Sequence, residues 1–225
     1  MTISAWYMDS SDADQREPHQ QNPNVPCSLD KIASLGVLHW SGLSGPDDPL
    51  LAQIKQERGY SYTDVVNVCP DKLPDYEKKV VSFFTEHIHY DEEIRYCMDG
   101  TGYFDIRDEK DAWIRIKLEA GDMIILPEGS FHRFTTDSSN YIQVATFLSI
   151  VHCPASFLLC PTFYVLLLIF CVFCSNLAAS SSDLQAMRLF VGEPVWTPYN
   201  RADIDADSNE SRQKYVSSFL TAQAA

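Results

Sequence analysis

Apolar and polar side chains trade places at short intervals between residues 86 and 134, the rhythm of brief strands joined by tight turns. Trp113-Ile114-Arg115-Ile116-Lys117-Leu118 alternates strictly, as a half-buried strand does, and 103–107 alternates more weakly. The polar quartet 108–111 separates the two, Gly121-Asp122 opens another turn, and the apolar run 123–126 is a short strand closed by Pro127. Strands this short at this spacing predict a β-sandwich or barrel. The first 85 residues lack that rhythm and read as an irregular lead-in with short helices. One helix is predicted over 50–58, with Leu51 and Ile54 as its apolar positions, and another over 75–84 behind Pro74. Residues 138–182 hold no Asp, Glu, Lys or Arg, and 163–174 are apolar without a break. A mixed strand resumes at 186–191, and the polar tail 202–225 is expected to be loosely held.

A length of 225 residues, 45% of them hydrophobic, suits one ordinary domain with a packed core. The 31 acidic and 17 basic residues give a formal charge of −14. A chain so acidic lacks the positive field that phosphate backbones attract, so neither nucleic acid nor an anionic membrane surface is an expected partner. The opening MTISAWYMDSSDADQREPHQ has no basic start followed by an apolar run and does not read as a secretory signal. Seven cysteines, an odd number, argue against a disulfide scaffold. Cys171 and Cys174 have redox or zinc-knuckle spacing but no partner pair, and are read as without such a role. The expected compartment is the reducing cytoplasm, with the nucleus as a second location, and the expected state is a monomer.

The chemistry lies in histidines. His87 and His89 are two apart, so on a strand both imidazoles face the same side and can reach one ion. Glu93 adds a carboxylate four residues later, and His132 follows a Pro127-x-Gly129 turn that can aim it inward across a barrel. Three imidazoles and one carboxylate suit a first-row divalent metal. Around an octahedral ion they leave two adjacent positions open for catalysis. His19, His39 and His152 stand alone and read as ordinary solvated or hydrogen-bonded histidines. Within Asp91-Glu92-Glu93, only Glu93 has the motif position; its neighbours read as solvated, or as supports of the ligands.

The four residues sit in a longer pattern. H-x-H-x3-E-x6-G is realised by His87, His89, Glu93 and Gly100, and G-x5-P-x-G-x2-H by Gly121, Pro127, Gly129 and His132. This pair of motifs resembles the signature of the cupin superfamily and implies a mainly β, jelly-roll barrel with a few short peripheral helices over 1–225. Flanking residues narrow the resemblance. Ala5-Trp6-Tyr7-Met8-Asp9, the segments 84–96 and 125–134, and Arg188-Leu189-Phe190 through Trp196 to Arg201 are similar to acireductone dioxygenases.

That resemblance implies an Fe²⁺- or Ni²⁺-dependent enzyme of methionine salvage, with one ion per chain held by His87, His89, Glu93 and His132. It implies an acireductone substrate, 1,2-dihydroxy-3-keto-5-methylthiopentene, taken as a bidentate dianion together with O₂. Iron would give the 2-keto acid and formate; nickel would give methylthiopropanoate, formate and carbon monoxide. A dianion near a metal also wants a fixed cation. Arg95 lies two residues beyond Glu93, on the same face of a strand, and Arg188 belongs to a strand expected to return across the barrel. Phe84, Phe134 and Trp196 are candidates for the pocket wall.

Residues 144–185 interrupt the resemblance. Without these 42 residues Gln143 would run directly into Ala186-Met187-Arg188, leaving 183 residues and a continuous strand. Three readings compete. The first is a membrane anchor, at odds with a barrel whose last strand must lie on the same side as the rest. The second is an unusually apolar hairpin insertion. The third, favoured here, is a translated intron, suggested by pyrimidine-heavy codons, a first residue Val and a last residue Gln. Transcripts lacking those 126 nucleotides are then expected to dominate. A non-catalytic cupin isoform, acting as an interaction or membrane-associated protein, is the alternative to the enzyme, with a sugar isomerase on the same barrel a more distant one.

Overall fold

The computed structural model describes residues 3–149, 198–206 and 208–221. Eleven strands lie among them, hydrogen-bonded into an antiparallel, two-faced barrel. One face runs β11 (Tyr199–Asn200), β5 (His87–Ile88), β9 (His132–Thr136), β6 (Glu93–Arg107), β7 (Trp113–Glu119), β1 (Ser4–Tyr7) and β2 (Pro26–Cys27). The other brings β10 (Ile142–Ser149) beside β4 (Tyr60–Val68) and β6, and β8 (Met123–Leu126) beside β3 (Leu38–Trp40) and β6. This is the jelly-roll architecture that the motifs imply.

The 15-residue strand β6 joins the faces: Glu93–Tyr96 pairs with β8, while residues 102–106 lie between β7 and β9. Gly100 sits at the change-over with φ +81°. A Cβ there would overlap the carbonyl oxygen of Tyr141 and come within 2.9 Å of the Ile142 Cα. Only glycine meets both demands without strain.

The predicted β7 and β8 form where expected. Ile114, Ile116 and Leu118 alternate inward and are wholly buried, and all of β8 is buried. The polar side of β7 is not all solvent-facing. Arg115 is 0% exposed, bonded to Asp105 through Nε at 2.7 Å and Nη2 at 2.8 Å, and to the Gln15 carbonyl through Nη1 at 3.0 Å. The lead-in covers that side of the sheet.

The helices also fall close to prediction, as α2 (Pro49–Glu57) and α3 (Tyr76–Phe84), after a short α1 (Leu29–Ser34). Asp48 caps α2 by accepting from the Leu50 amide at 2.8 Å, and Leu51 and Ile54 are its buried residues.

Two expectations need correction. The lead-in is not merely irregular, since β1 to β4 lie within it. The nine-residue β4 is rich in aromatic and β-branched residues, yet its alternation is disguised: Asp64 lines an interior cavity while Val65 is 44% exposed. The tail is not loosely held over 210–220 either. Helix α4 (Glu210–Tyr215) continues into a π-helical turn (Val216–Leu220). Tyr215 is buried and donates its hydroxyl to the Leu35 carbonyl at 3.0 Å, and Phe219 lies over Gly36. Two aromatic anchors in a polar stretch suffice to dock it.

Candidate metal centre and its pocket

The predicted quartet converges. Register pairing sets His87 of β5 directly opposite His132 of β9, while Glu93 opens β6. His89 follows β5, and its carbonyl accepts from the Gly129 amide at 3.0 Å, so the Pro127-x-Gly129 turn fixes both His89 and the approach to His132. One ligand atom from each of the four lies within 4.8 Å of the others. Glu93 Oε2 is 3.0 Å from His89 Nε2 and 3.2 Å from His132 Nε2. His87, Glu93 and His132 are all buried.

The hydrogen bonds show what the cluster is built to hold. His87 Nδ1 lies 2.6 Å from the Thr85 carbonyl and His132 Nδ1 lies 2.9 Å from the Ser130 carbonyl. A carbonyl only accepts, so each Nδ1 carries the proton and each Nε2 of a neutral ring presents a lone pair. The His132 lone pair then faces a carboxylate oxygen at 3.2 Å. Two acceptors at that distance call for a cation between them. Backbone carbonyls fixing the second ring nitrogen are also what orients imidazoles for a metal. The donor set therefore fits a divalent first-row ion, and the protein carries a metal cofactor in this class of site.

Electrostatics agree. Burial, then the neighbouring His132, pushes the His87 imidazole down to about 3, so the ring is neutral and able to coordinate. Burial works against the Glu93 anion, but the Arg95 guanidinium, with His132 close by, outweighs it and holds the carboxyl well below its usual range. Glu93 is thus a carboxylate at neutral pH.

The cluster opens into a cavity of about 280 Å³ with largely apolar walls. Arg95 lines it, with Nη2 3.2 Å from Glu93 Oε1 and Nη1 donating to the Ile94 carbonyl at 2.9 Å. Phe134 lines it as expected. Phe84 does not: its ring lies under the Arg133 guanidinium at 4.0 Å, and Phe83 faces the cavity instead. Adjacent helical positions point about 100° apart, so only one of the two can face the site. Arg188 and Trp196 lie outside the described residues.

Sequence reasoning missed the far wall, built by Asp64, Val66 and Val68 of β4 and by Val144 and Thr146 of β10. The β-branched run of β4 carried the available signal. Two supports stand behind the ligands: Glu92, which the sequence offers as solvated or supporting, and Glu86, which it does not single out. Glu92 accepts from Arg58 and from the Tyr60 hydroxyl, each at 2.6 Å, tying β4 to the residue before Glu93. Glu86, next to His87, accepts from Arg107 and Arg201, and the Arg201 amide donates to its carbonyl at 2.9 Å. This clamps β11 onto the histidine strand, where Asn200 pairs with His87.

Barrel and centre together define a cupin-type metalloprotein with three histidines and one glutamate. The family model of the ARD/ARD′ family matches residues 4–149, and the chain belongs to that family. An acireductone dioxygenase of Branchiostoma floridae is 46% identical over 214 residues, covering 95% of this chain and 96% of its own. Acireductone dioxygenase 2 of Arabidopsis thaliana is 47% identical over 220 residues, covering 97% and 91% respectively.

Proposed function

We propose that this chain is an acireductone dioxygenase: a metal-dependent enzyme that cleaves a 1,2-dihydroxy-3-keto-5-methylthiopentene with O₂. The observation that carries the proposal is the buried quartet His87, His89, Glu93 and His132, with lone pairs converging at the mouth of an apolar cavity. Membership of the family and the names of its relatives favour the enzyme over a non-catalytic cupin. No described helix is long and apolar enough to cross a membrane, and the run 163–174 lies outside the described residues.

His87, His89, Glu93 and His132 are the proposed ligands. When bound, the ion supplies Lewis-acid and redox chemistry toward the enediol and O₂. The protein's own groups do the rest. Glu93, held as a carboxylate, offsets part of the ion's charge. Arg95 places a cation at the cavity wall, where an enediolate is attracted and oriented. Phe83, Phe104 and Phe134 offer an apolar surface to the methylthio end and exclude water from the reacting carbons. Proton bookkeeping falls to the substrate, which arrives as its anion.

Iron and nickel forms are proposed to divide the products. With Fe²⁺ the six-carbon substrate and O₂ yield the five-carbon 2-keto acid and formate; with Ni²⁺ they yield methylthiopropanoate, formate and carbon monoxide. Both outcomes balance in carbon and oxygen. The test is product analysis on the chain loaded with each metal in turn. Formate from both, with carbon monoxide only from nickel, is the expected result. Identical products from both metals would overturn the division, and no oxygen consumption with either would overturn the enzyme. The cytoplasm remains the proposed compartment.

A further inference from the structure

Helix α4 and the turn after it border a second cleft, of about 370 Å³, lined by Phe131, Arg201, Arg212, Gln213, Ser217 and Thr221. None of these residues lines the metal cavity. The guanidiniums of Arg201 and Arg212 both lie against the buried Phe131 ring, at 4.7 Å and 4.5 Å from its centre.

Their charges are not balanced alike. Arg107 and Arg201 share Glu86 and Asp111, so two cations meet two carboxylates in one closed network. Arg212 is half-buried and has no carboxylate within ion-pair distance among the described residues. Burial, with the like charge of Arg201 behind it, pulls its guanidinium below the usual range. The rings of Phe131 and Tyr215 lie across it at 4.5 Å and 5.2 Å, and Nη1 donates to the Gly129 carbonyl at 3.2 Å. Aromatic rings satisfy the face of a guanidinium, not the N–H groups around its edge. Arg201 likewise commits only Nη1 among the described residues, to Glu86 and Asp111 at 2.8 Å each.

One concave surface therefore carries two planar donors with N–H groups to spare, and one of them bears a charge that nothing beside it cancels. In a chain of net charge −14, a partly buried surplus cation is destabilising unless an anion meets it. We infer that this cleft is an oxyanion site, taking free phosphate or the terminal phosphate of a monoester. Guanidinium edges match pairs of phosphate oxygens. The Ser217 and Thr221 hydroxyls donate to the Lys214 and Ser217 carbonyls at 2.9 Å each, which leaves their lone pairs to accept from a protonated phosphate oxygen. The inference does not depend on the dioxygenase reading, because the cleft shares no residue with the metal cavity.

The test uses the full 225-residue chain loaded with Ni²⁺ and titrated calorimetrically with inorganic phosphate and, separately, with methyl phosphate. One saturable site with a Kd on the order of 1 mM is expected, the strength that charge-assisted pairs leave after a small ion's lost freedom. Arg212→Gln should weaken binding by about tenfold or more while bound nickel stays the same. Arg212→Lys keeps the charge but not the planar edge, and should weaken it by about threefold. Phosphate held at the metal instead would ignore both substitutions. No saturable phosphate binding by the parent, or parent affinity in the glutamine variant, overturns the inference. If the glutamine variant does not fold, the lysine variant decides alone: weaker binding upholds the site and parent affinity overturns it. Methyl phosphate separates the sources of a site so upheld. Affinity equal to or above that of inorganic phosphate assigns the cleft to a monoester, and lower affinity assigns it to the free ion.

Discussion

The metal centre and the wall opposite it are built on different principles. The centre draws His87, His89, Glu93 and His132 from β5, β6 and β9 and their adjoining turns; the carbonyls of Thr85 and Ser130 fix the His87 and His132 rings, the Gly129 amide fixes the His89 backbone, and Arg95 holds the Glu93 carboxylate. The wall draws Val66, Val68 and Val144 from β4 and β10, where shape matters more than identity. Coordination demands particular atoms at particular spacings, whereas an apolar surface accepts many side chains of similar volume. The centre should therefore fail abruptly on substitution, and the wall gradually.

The sharpest break of that contrast is Glu93→Gln. It removes the one anionic ligand and should lower metal affinity by more than about 100-fold. Metal analysis after dialysis checks this, and far-UV circular dichroism should show the barrel intact. A variant that keeps its full complement of metal would remove Glu93 from the ligand set.

Next in size is the support behind the centre. Asp105, 1% exposed, accepts from Arg115 at 2.7 Å and 2.8 Å and from Arg133 at 2.9 Å. Asp105→Ala strands a wholly buried guanidinium and should destabilise the fold by about 3–5 kcal/mol. Urea unfolding of the metal-free protein reads this directly. A loss below 1 kcal/mol would mean that the arginines find other partners.

On the wall, Phe83→Ala should leave metal content unchanged while raising KM for the acireductone by about tenfold. Loss of metal in this variant would erase the distinction between wall and centre.

The smallest effect concerns reactivity. Cys97 is wholly buried, and burial, then the nearby Asp122, pushes its thiol up to about 12; burial likewise pushes Cys27 up to about 11. A raised thiol value means less thiolate at any lower pH, so both should resist alkylation at pH 8 in the native protein and react once it is unfolded. Peptide mapping after iodoacetamide treatment distinguishes the cases. Rapid native labelling of Cys97 would show that β6 opens readily.

What the sequence disclosed follows the same division. The four ligands were legible because H-x-H-x3-E and G-x5-P-x-G-x2-H carry chemistry and turn geometry together. Strands β7 and β8 were legible because 113–118 alternates and 123–126 is uniformly apolar. Strand β4 was not, because Asp64 faces the cavity and Val65 faces out, inverting the usual pattern on a strand that walls the site. Phe84 was misplaced because neighbouring phenylalanines on a helix cannot be told apart without the rotation of α3. Thr146 carried no signal at all, for a lone threonine in an apolar run looks like filler until register turns it inward.

The most direct test of the account is oxygen consumption by the 225-residue chain, stripped of metal and then reloaded to one ion per chain, in the presence of an acireductone. The account predicts no uptake from the stripped protein and, after reloading, uptake matched mole for mole by formate. A reloaded protein that holds its ion through dialysis yet consumes no oxygen would contradict it.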